Sequence, residues 1–278
     1  MNKRKLRVAI LDLYNKFPNE GMRCLKTILE DYSRLNHVHI IYDVFDVRAE
    51  NEIADLSYDL YLSTGGPGSP IDSEGSLWET KYFGLMKDIM AYNELPNHPK
   101  KYVFLICHSF QIFVRYFELG QVSMRKSTSF GVMTVHKTDE GQHEPLFSKM
   151  EDPFWVVDSR DWQVKNANEE KINALGGAVL CIEKFRPHID LSRAIMAIRF
   201  NDYIFGTQFH PEADAVGMMA HLQTDDKREH VILLHGEKKY FEMLDHLDDP
   251  DKIMFTYEVI IPTFIDTVLQ EQFQHVLK

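Results

Sequence analysis

The chain has 278 residues, of which 44% are hydrophobic and 26% are charged, and its formal net charge is −11. This length suits one large α/β domain or a domain with an extension, and the composition is that of an ordinary globular protein. The net acidity argues against a nucleic-acid partner, because a nucleic-acid-binding protein normally presents a basic face.

The first part of the chain alternates between apolar strand-like stretches and stretches with helical spacing of apolar residues. The predicted strands are residues 6–14, 37–47, 58–63 and 101–107, and the predicted helices are residues 19–35, 77–92 and 108–119. Nearly all-apolar strands that alternate with helices predict an α/β fold with a mostly parallel central sheet flanked by helices. In such sheets, sites form at the carboxyl ends of strands.

The second part changes to short strands separated by turn signals, and then to helices. The predicted strands are residues 130–137, 153–158, 178–185, 194–200 and 203–210, and the predicted helices are residues 216–223, 228–247 and 252–277. Pro262 is expected to kink or interrupt the last helix. We therefore predict two parts, an α/β domain at 1–213 and a helical C-terminal extension at 214–278 that packs on it.

The cysteines and the start of the chain indicate a cytoplasmic protein. Cys24, Cys107 and Cys181 are far apart and odd in number, which is no disulfide framework and is typical of a reducing compartment. Asp12 interrupts the first apolar run and no small-residue cleavage site follows, so this run predicts a strand and not a signal peptide. Because no run of about 18 apolar residues occurs, we expect no membrane contact.

Cys107 ends an apolar strand and directly precedes a helix. A buried cysteine of the core is one interpretation, since free cysteine is among the most buried residue types. The other is a nucleophile at a sharp strand-to-helix turn, where the helix dipole and free backbone N–H groups stabilise an anionic sulfur.

Two further stretches could complete a site around this sulfur. His210 and Glu212 lie two apart in a strand-like stretch, so the carboxylate could orient the imidazole as in a catalytic triad. A surface His-Pro-Glu turn is the alternative. Gly65 and Gly66 follow a strand and could form an oxyanion hole, and the alternative is a plain tight turn.

In chain order, the glycine turn, the cysteine elbow and the His-Pro-Glu stretch resemble the class I glutamine amidotransferase family, for example the glutaminase domain of GMP synthetase. The resemblance covers about residues 6–213. The matching residues are Gly65, Gly66, Pro67, Gly68, Cys107, Gln111, Gln208, Phe209, His210, Pro211 and Glu212. It implies a flavodoxin-like α/β fold and the hydrolysis of glutamine to glutamate and ammonia, or transfer of that ammonia.

The resemblance also implies roles for individual residues. Cys107 would form a γ-glutamyl thioester, His210 would transfer protons, and Glu212 would orient His210. The backbone N–H groups of Gly66 and His108 would hold the oxyanion. The implied substrate-binding residues are Gly65, Gln111 and Arg160. No metal and no cofactor are expected, and a γ-glutamyl compound would be the small-molecule substrate.

The sequence departs from the family pattern at three positions. Leu105 stands where glycine is common, Ser109 replaces the later glycine, and Arg160 stands where histidine is usual. Because arginine pairs carboxylates bidentately, Arg160 would suit an extra substrate carboxylate and hence a γ-glutamyl peptide hydrolase. A surface loop arginine is the alternative.

The departures also leave other activities and partners open. A catalytically weak, glutaminase-like binding or regulatory subunit is a further alternative. No synthetase domain follows in this sequence, so ammonia transfer would need a separate synthetase subunit. The C-terminal helices could cap the domain, cover the site or form a homodimer interface.

Overall fold

The computed structural model describes residues 4–187, 192–249 and 251–276, and these form an α/β fold around one mixed nine-stranded sheet. The strands are β1 (Lys5–Asp12), β2 (His39–Asp46), β3 (Leu60–Ser63), β4 (Tyr102–Ile106), β5 (Gln121–Lys137), β6 (Phe154–Lys165), β7 (Ala178–Glu183), β8 (Ile195–Arg199) and β9 (Ile204–Thr207). The helices are α1 (Gly21–Leu35), α2 (Leu77–Glu94), α3 (His108–Tyr116), α4 (Asp139–Gln142), α5 (Glu169–Ala174), α6 (Ala215–Leu222), α7 (Asp225–His235), α8 (Glu237–Asp248) and α9 (Ile253–Val276). A short 3-10 helix covers Pro145–Phe147.

The sheet has a parallel half and an antiparallel half, in the order β2-β1-β3-β4-β9-β8-β7-β5-β6. The strands from β2 to β9 in this order pair in parallel, and those from β9 to β6 pair antiparallel. The predicted α/β class is therefore confirmed. The short strands of the second part continue the same sheet, which makes it mixed.

Apolar side chains cover both faces of this sheet. On one face α1 and α9 pack on β1, β3 and β4, and on the other face α2 and α3 do so. All five residues of β4 are buried, as its unbroken apolar sequence predicts. The sheet therefore holds the end of β4, and Cys107 directly after it, in a rigid setting.

The C-terminal helices pack in two ways. Helices α6, α7 and α8 form a small third cluster against β5 and β6, which includes Val132, Val157, Val231 and Met243. Helix α9 joins the main core, and it continues through Pro262, so this proline does not interrupt the helix. Buried side chains before and after the proline attach both halves of α9 to the sheet. The domain division at 213/214 stays a prediction.

Within the described part of the chain, α9 is the one helix with the length and composition of a membrane span, at Ile253–Gln272. Half of that stretch is buried inside the fold, and a core helix passes the same test. The absence of membrane contact stays a prediction.

Candidate active site

Cys107 occupies a strained turn between β4 and α3. Its φ of +50° and ψ of −97° place a non-glycine residue in a region that L side chains rarely adopt. The turn is held from both sides, because the Cys107 N–H donates to the Thr207 carbonyl at 2.7 Å and its carbonyl accepts from Gln111 at 3.0 Å. Such a turn lifts the side chain out of the sheet and places it at a helix N-terminus, which is the geometry of a nucleophile elbow.

The two residues that depart from the elbow pattern have structural explanations. The Ser109 hydroxyl accepts from the Ile106 N–H at 2.8 Å and donates to the Ser63 carbonyl at 2.9 Å, so it ties β3 to the elbow. Leu105 lies opposite Gly206 in the parallel ladder between β4 and β9. A Cβ on Gly206 would lie 3.4 Å from the Leu105 Cβ and 2.7 Å from the Phe110 ring. Because Gly206 has no side chain, Leu105 and Phe110 can occupy the space beside it.

His210 and Glu212 are paired as predicted, but by a turn and not by a strand. Strand β9 ends at Thr207, and His210 is held by an isolated antiparallel bridge to Val157. Its Nδ1 lies 2.8 Å from Oε1 of Glu212. Burial lowers the pKa of His210, but the carboxylate of Glu212 and the Cys107 sulfur outweigh it and raise this pKa well above its ordinary value.

The glycine turn, defined here as residues 65–68, meets both other parts of the site. A Cβ on Gly65 would lie 3.0 Å from Cε1 of His210 and 3.7 Å from Cβ of Cys107. A Cβ on Gly66 would lie 2.4 Å from the Leu13 carbonyl oxygen, a distance that no side chain tolerates. A side chain at Gly66 would therefore displace the turn, and one at Gly65 would crowd the imidazole.

Two arginines hold the loop that contains the glycine turn. Arg48 donates to the Pro67 carbonyl at 2.7 Å and to the Leu13 carbonyl at 3.2 Å. Arg115 donates to the Pro70 carbonyl and pairs with the buried carboxylate of Glu79. The sequence interpretation missed both arginines, because neither lies next to a recognisable motif.

His108 is the first residue of α3, and its side chain is buried. Burial, followed by the charges of Arg48 and Arg115, lowers its pKa from 6.5 to about 3, so the imidazole is neutral. Its buried Nε2 finds no hydrogen-bond partner among the described residues. Its backbone N–H is the first of α3, where N–H groups have no partner within the helix.

The two predicted binding side chains differ in how they are used. Gln111 lines the pocket at Cys107 and donates to the Gln208 side chain at 3.1 Å. Arg160 also belongs to the pocket wall, but its Nε donates to Asp158 at 2.8 Å, and Nη2 lies 3.7 Å from Glu183. The guanidinium of Arg160 is therefore already paired with carboxylates of the protein itself. This pairing argues against an exposed loop arginine, and also against an arginine that is free to bind a substrate carboxylate.

Cys107, His210, Gly66 and Gln111 open into one cavity of about 500 Å³. The facing walls come from the β1–α1 loop, β5, β6 and α7, through Phe17, Asn19, Thr128, Phe130, Asp161, Trp162, Lys227 and Val231. A second cavity of about 310 Å³ adjoins it behind His210 and Glu212. The described residues include no group of three or more His, Cys, Asp or Glu side chains that could hold a metal ion.

Tyr14 was not predicted as a site residue, although it lines both cavities. Burial, followed by the negative charges of Glu212 and Cys107, raises its pKa well above 10.0, so the hydroxyl keeps its proton. Tyr14 comes just after β1, at the same sheet edge as Gly65 and Cys107. Its position after a buried strand is the signal that could have identified it.

Comparisons with known proteins identify the family of the chain. The model of the family "Glutamine amidotransferase class-I" matches residues 24–223, more than two thirds of the chain. No curated protein matches the chain in sequence.

Several solved structures share the fold at low sequence identity. A glutamine amidotransferase from Thermotoga maritima is 15% identical, with a TM-score of 0.66 over 95% of this chain and 98% of that one. A glutamine amido transferase from Methylobacillus flagellatus is 13% identical, with a TM-score of 0.61 over 99% and 96%. The glutaminase domain of CTPS from Trypanosoma brucei, with bound acivicin, is 13% identical, with a TM-score of 0.55 over 74% and 86%.

Proposed function

Because this chain belongs to the class I glutamine amidotransferase family, we propose that it hydrolyses a γ-glutamyl amide through a covalent intermediate on Cys107. With glutamine as substrate, the products are glutamate and ammonia. One observation carries the proposal: the imidazole that Glu212 holds at 2.8 Å lies against the glycine turn, in the same cavity as the strained Cys107.

In the first half-reaction, the Cys107 sulfur attacks the γ-carbonyl carbon, and the C=O electron pair moves to the oxygen. The backbone N–H groups of Gly66 and His108 would hold that oxyanion. When the tetrahedral intermediate collapses, the C–N bond breaks and the nitrogen takes a proton from the His210 imidazolium. Ammonia or an amine leaves, and a γ-glutamyl thioester remains on Cys107.

In the second half-reaction, water attacks the thioester carbonyl while His210 accepts a proton from it. The same two N–H groups hold the second oxyanion. The C–S bond then breaks, glutamate leaves, and the electron pair returns to the sulfur beside the imidazolium. Glu212 keeps the imidazole oriented and supports its positive charge through both steps. The ammonia is released or passed to a separate synthetase subunit.

The remaining predicted residues shape the substrate site. Gly65 leaves the approach to Cys107 and His210 open, since its missing side chain would contact both. Gln111 borders the cavity one helical turn beyond Cys107, where it can contact the glutamyl group. Asp161 supplies a carboxylate on the facing wall, which complements the α-ammonium group of a glutamyl substrate.

The proposal is tested by mass spectrometry after exposure to an electrophilic glutamine analogue, together with an assay for released ammonia. We expect one label per chain on Cys107, and we expect a His210→Ala variant to lose it. All three cysteines are buried, and Cys107 is the one that lines the cavity of about 500 Å³. Cys24 and Cys181 serve as internal controls, because burial raises the pKa of both thiols. A folded protein with neither label nor ammonia release would overturn the proposal and favour the binding-subunit alternative.

A further inference from the structure

Helix α7, from the C-terminal part of the chain, forms one wall of the cavity that contains Cys107. Lys227 and Val231 both line this cavity, and they are four residues apart, so they share one face of the helix. Val231 is buried in the third apolar cluster, which also contains residues of β5, β6 and α8. The burial of Val231 fixes the orientation of α7, so the helix face that carries Val231 and Lys227 points toward the cavity.

The ammonium group of Lys227 is available to a ligand. The side chain is exposed, and no carboxylate of the described residues lies within ion-pair distance of it. The other charged groups of this cavity have partners: Arg160 pairs with Asp158, and Asp161 accepts a hydrogen bond from Thr128 at 2.5 Å. Lys227 is thus the cavity's unmatched cation within the described chain.

The size of the cavity indicates more than a minimal substrate. A volume of about 500 Å³ lies in the range that encloses drug-sized ligands, whereas glutamine has only about ten non-hydrogen atoms. The cavity therefore has room for a γ-glutamyl group and for part of the amine to which it is joined.

We propose that α7 forms part of the substrate-binding site and that Lys227 binds a carboxylate of the γ-glutamyl substrate. The proposal rests on the proposed function. The carboxylate is either the α-carboxylate of the glutamyl half or one on the amine half. Arg160, which the sequence suggested for such a role, is committed to Asp158, so Lys227 takes its place.

The test compares steady-state kinetics of Lys227→Met and Lys227→Arg with those of the wild type. The substrates are glutamine, γ-glutamylethylamide and γ-glutamylglycine, of which only the last carries a carboxylate on its amine half. We expect Lys227→Met to raise KM about tenfold with a much smaller change in kcat, and Lys227→Arg to recover most of the loss. Lys238→Met is the matched control, since Lys238 is an exposed lysine of α8 that pairs with Glu242 and does not line the cavity.

The substrates separate the two sources of the carboxylate. A KM increase for γ-glutamylglycine alone places the carboxylate on the amine half, and an equal increase for all three substrates identifies the α-carboxylate. Unchanged KM values for all three, or equal effects in Lys238→Met, would overturn the inference.

A binding measurement separates this inference from the proposed function. Calorimetry with γ-glutamylglycine compares Cys107→Ala with the double variant Cys107→Ala/Lys227→Met, and neither needs turnover. Absence of turnover in the wild type would overturn the proposed function. Weaker binding by the double variant would still support the role of Lys227, and equal binding would refute it.

Discussion

Oε1 of Glu212 lies 2.8 Å from Nδ1 of His210, and the Glu212 side chain is almost completely buried. Against the effect of burial, this carboxylate raises the pKa of His210 well above its ordinary value. The imidazole therefore stays protonated at neutral pH, and this positive form is lost only as the pH rises through the raised pKa.

Replacing Glu212 by glutamine should remove this support while keeping the shape of the side chain. Without this negative charge the pKa of His210 falls, so we expect kcat to drop by on the order of a hundredfold to ten-thousandfold. Alkylation of Cys107 by iodoacetamide should also weaken on the acidic side of neutrality. Glu20→Gln, at the rim of the second cavity, is the control. Identical alkylation profiles in the wild type and Glu212→Gln would show that the carboxylate does not support the imidazolium.

Adding a methyl group at Gly66 should displace the glycine turn. The new Cβ would lie 2.4 Å from the Leu13 carbonyl oxygen, so the backbone must move. We expect kcat for glutamine to fall by about a hundredfold or more, because the proposed oxyanion donor at Gly66 is displaced. Gly84→Ala in α2 is the matched control, since a Cβ there meets nothing within 4 Å. Equal activity of the two variants would exclude Gly66 from the oxyanion site.

Removing the guanidinium of Arg48 should loosen the same turn without touching the substrate. Arg48→Met loses the bonds to the Pro67 and Leu13 carbonyls, and we expect kcat to fall by about tenfold with little change in KM. Arg48→Lys keeps one donor and should recover part of this loss. The thermal midpoint of each variant, with Arg34→Met on the exposed face of α1 as control, separates slower chemistry from unfolding. If kcat falls only in those variants whose thermal midpoint also falls, Arg48 would act through stability and not by positioning the turn.

The neutral, buried His108 should make the fold sensitive to acid. Its pKa is about 3 in the folded protein against an ordinary value of 6.5, so the unfolded chain takes up the proton first. The contribution of the neutral imidazole is fully present above pH 6.5 and is lost as the pH falls toward 3. At about pH 4.5, we expect the wild type to have lost about 2–3 kcal/mol more of its free energy of unfolding than His108→Gln.

Urea unfolding of both proteins at neutral and acidic pH measures this difference. His39→Gln, an exposed position on β2, should behave like the wild type. Equal acid sensitivity of the wild type and His108→Gln would show that His108 takes up its proton without unfolding.

The sequence predicted those parts of the molecule whose structure is determined by residues close together along the chain. Apolar runs identified β1, β3 and β4, and the strand-to-helix change placed the elbow at Cys107. The start of β5 was missed, because residues 121–129 are mostly polar and exposed and lack an apolar pattern. The pairing of Asp158 with Arg160 could have been found, since the two residues lie two apart on one face of a strand.

Contacts between distant parts of the chain could not be predicted in this way. Lys227 lines the cavity because α7 packs in one apolar cluster with β5, β6 and α8, which no local pattern of α7 reveals. Arg48 reaches the glycine turn from the end of a strand in another part of the chain. Tyr14 could have been predicted in part, because it follows β1 and the carboxyl ends of parallel strands lie at the edge of the sheet where sites form.

The pairing of Leu105 with Gly206 changes how the elbow pattern should be understood. Close packing around the nucleophile limits the combined volume of two facing positions on adjacent strands, so the small residue can stand on either one. Leu105 is therefore compatible with the elbow as long as the facing position on β9 remains glycine.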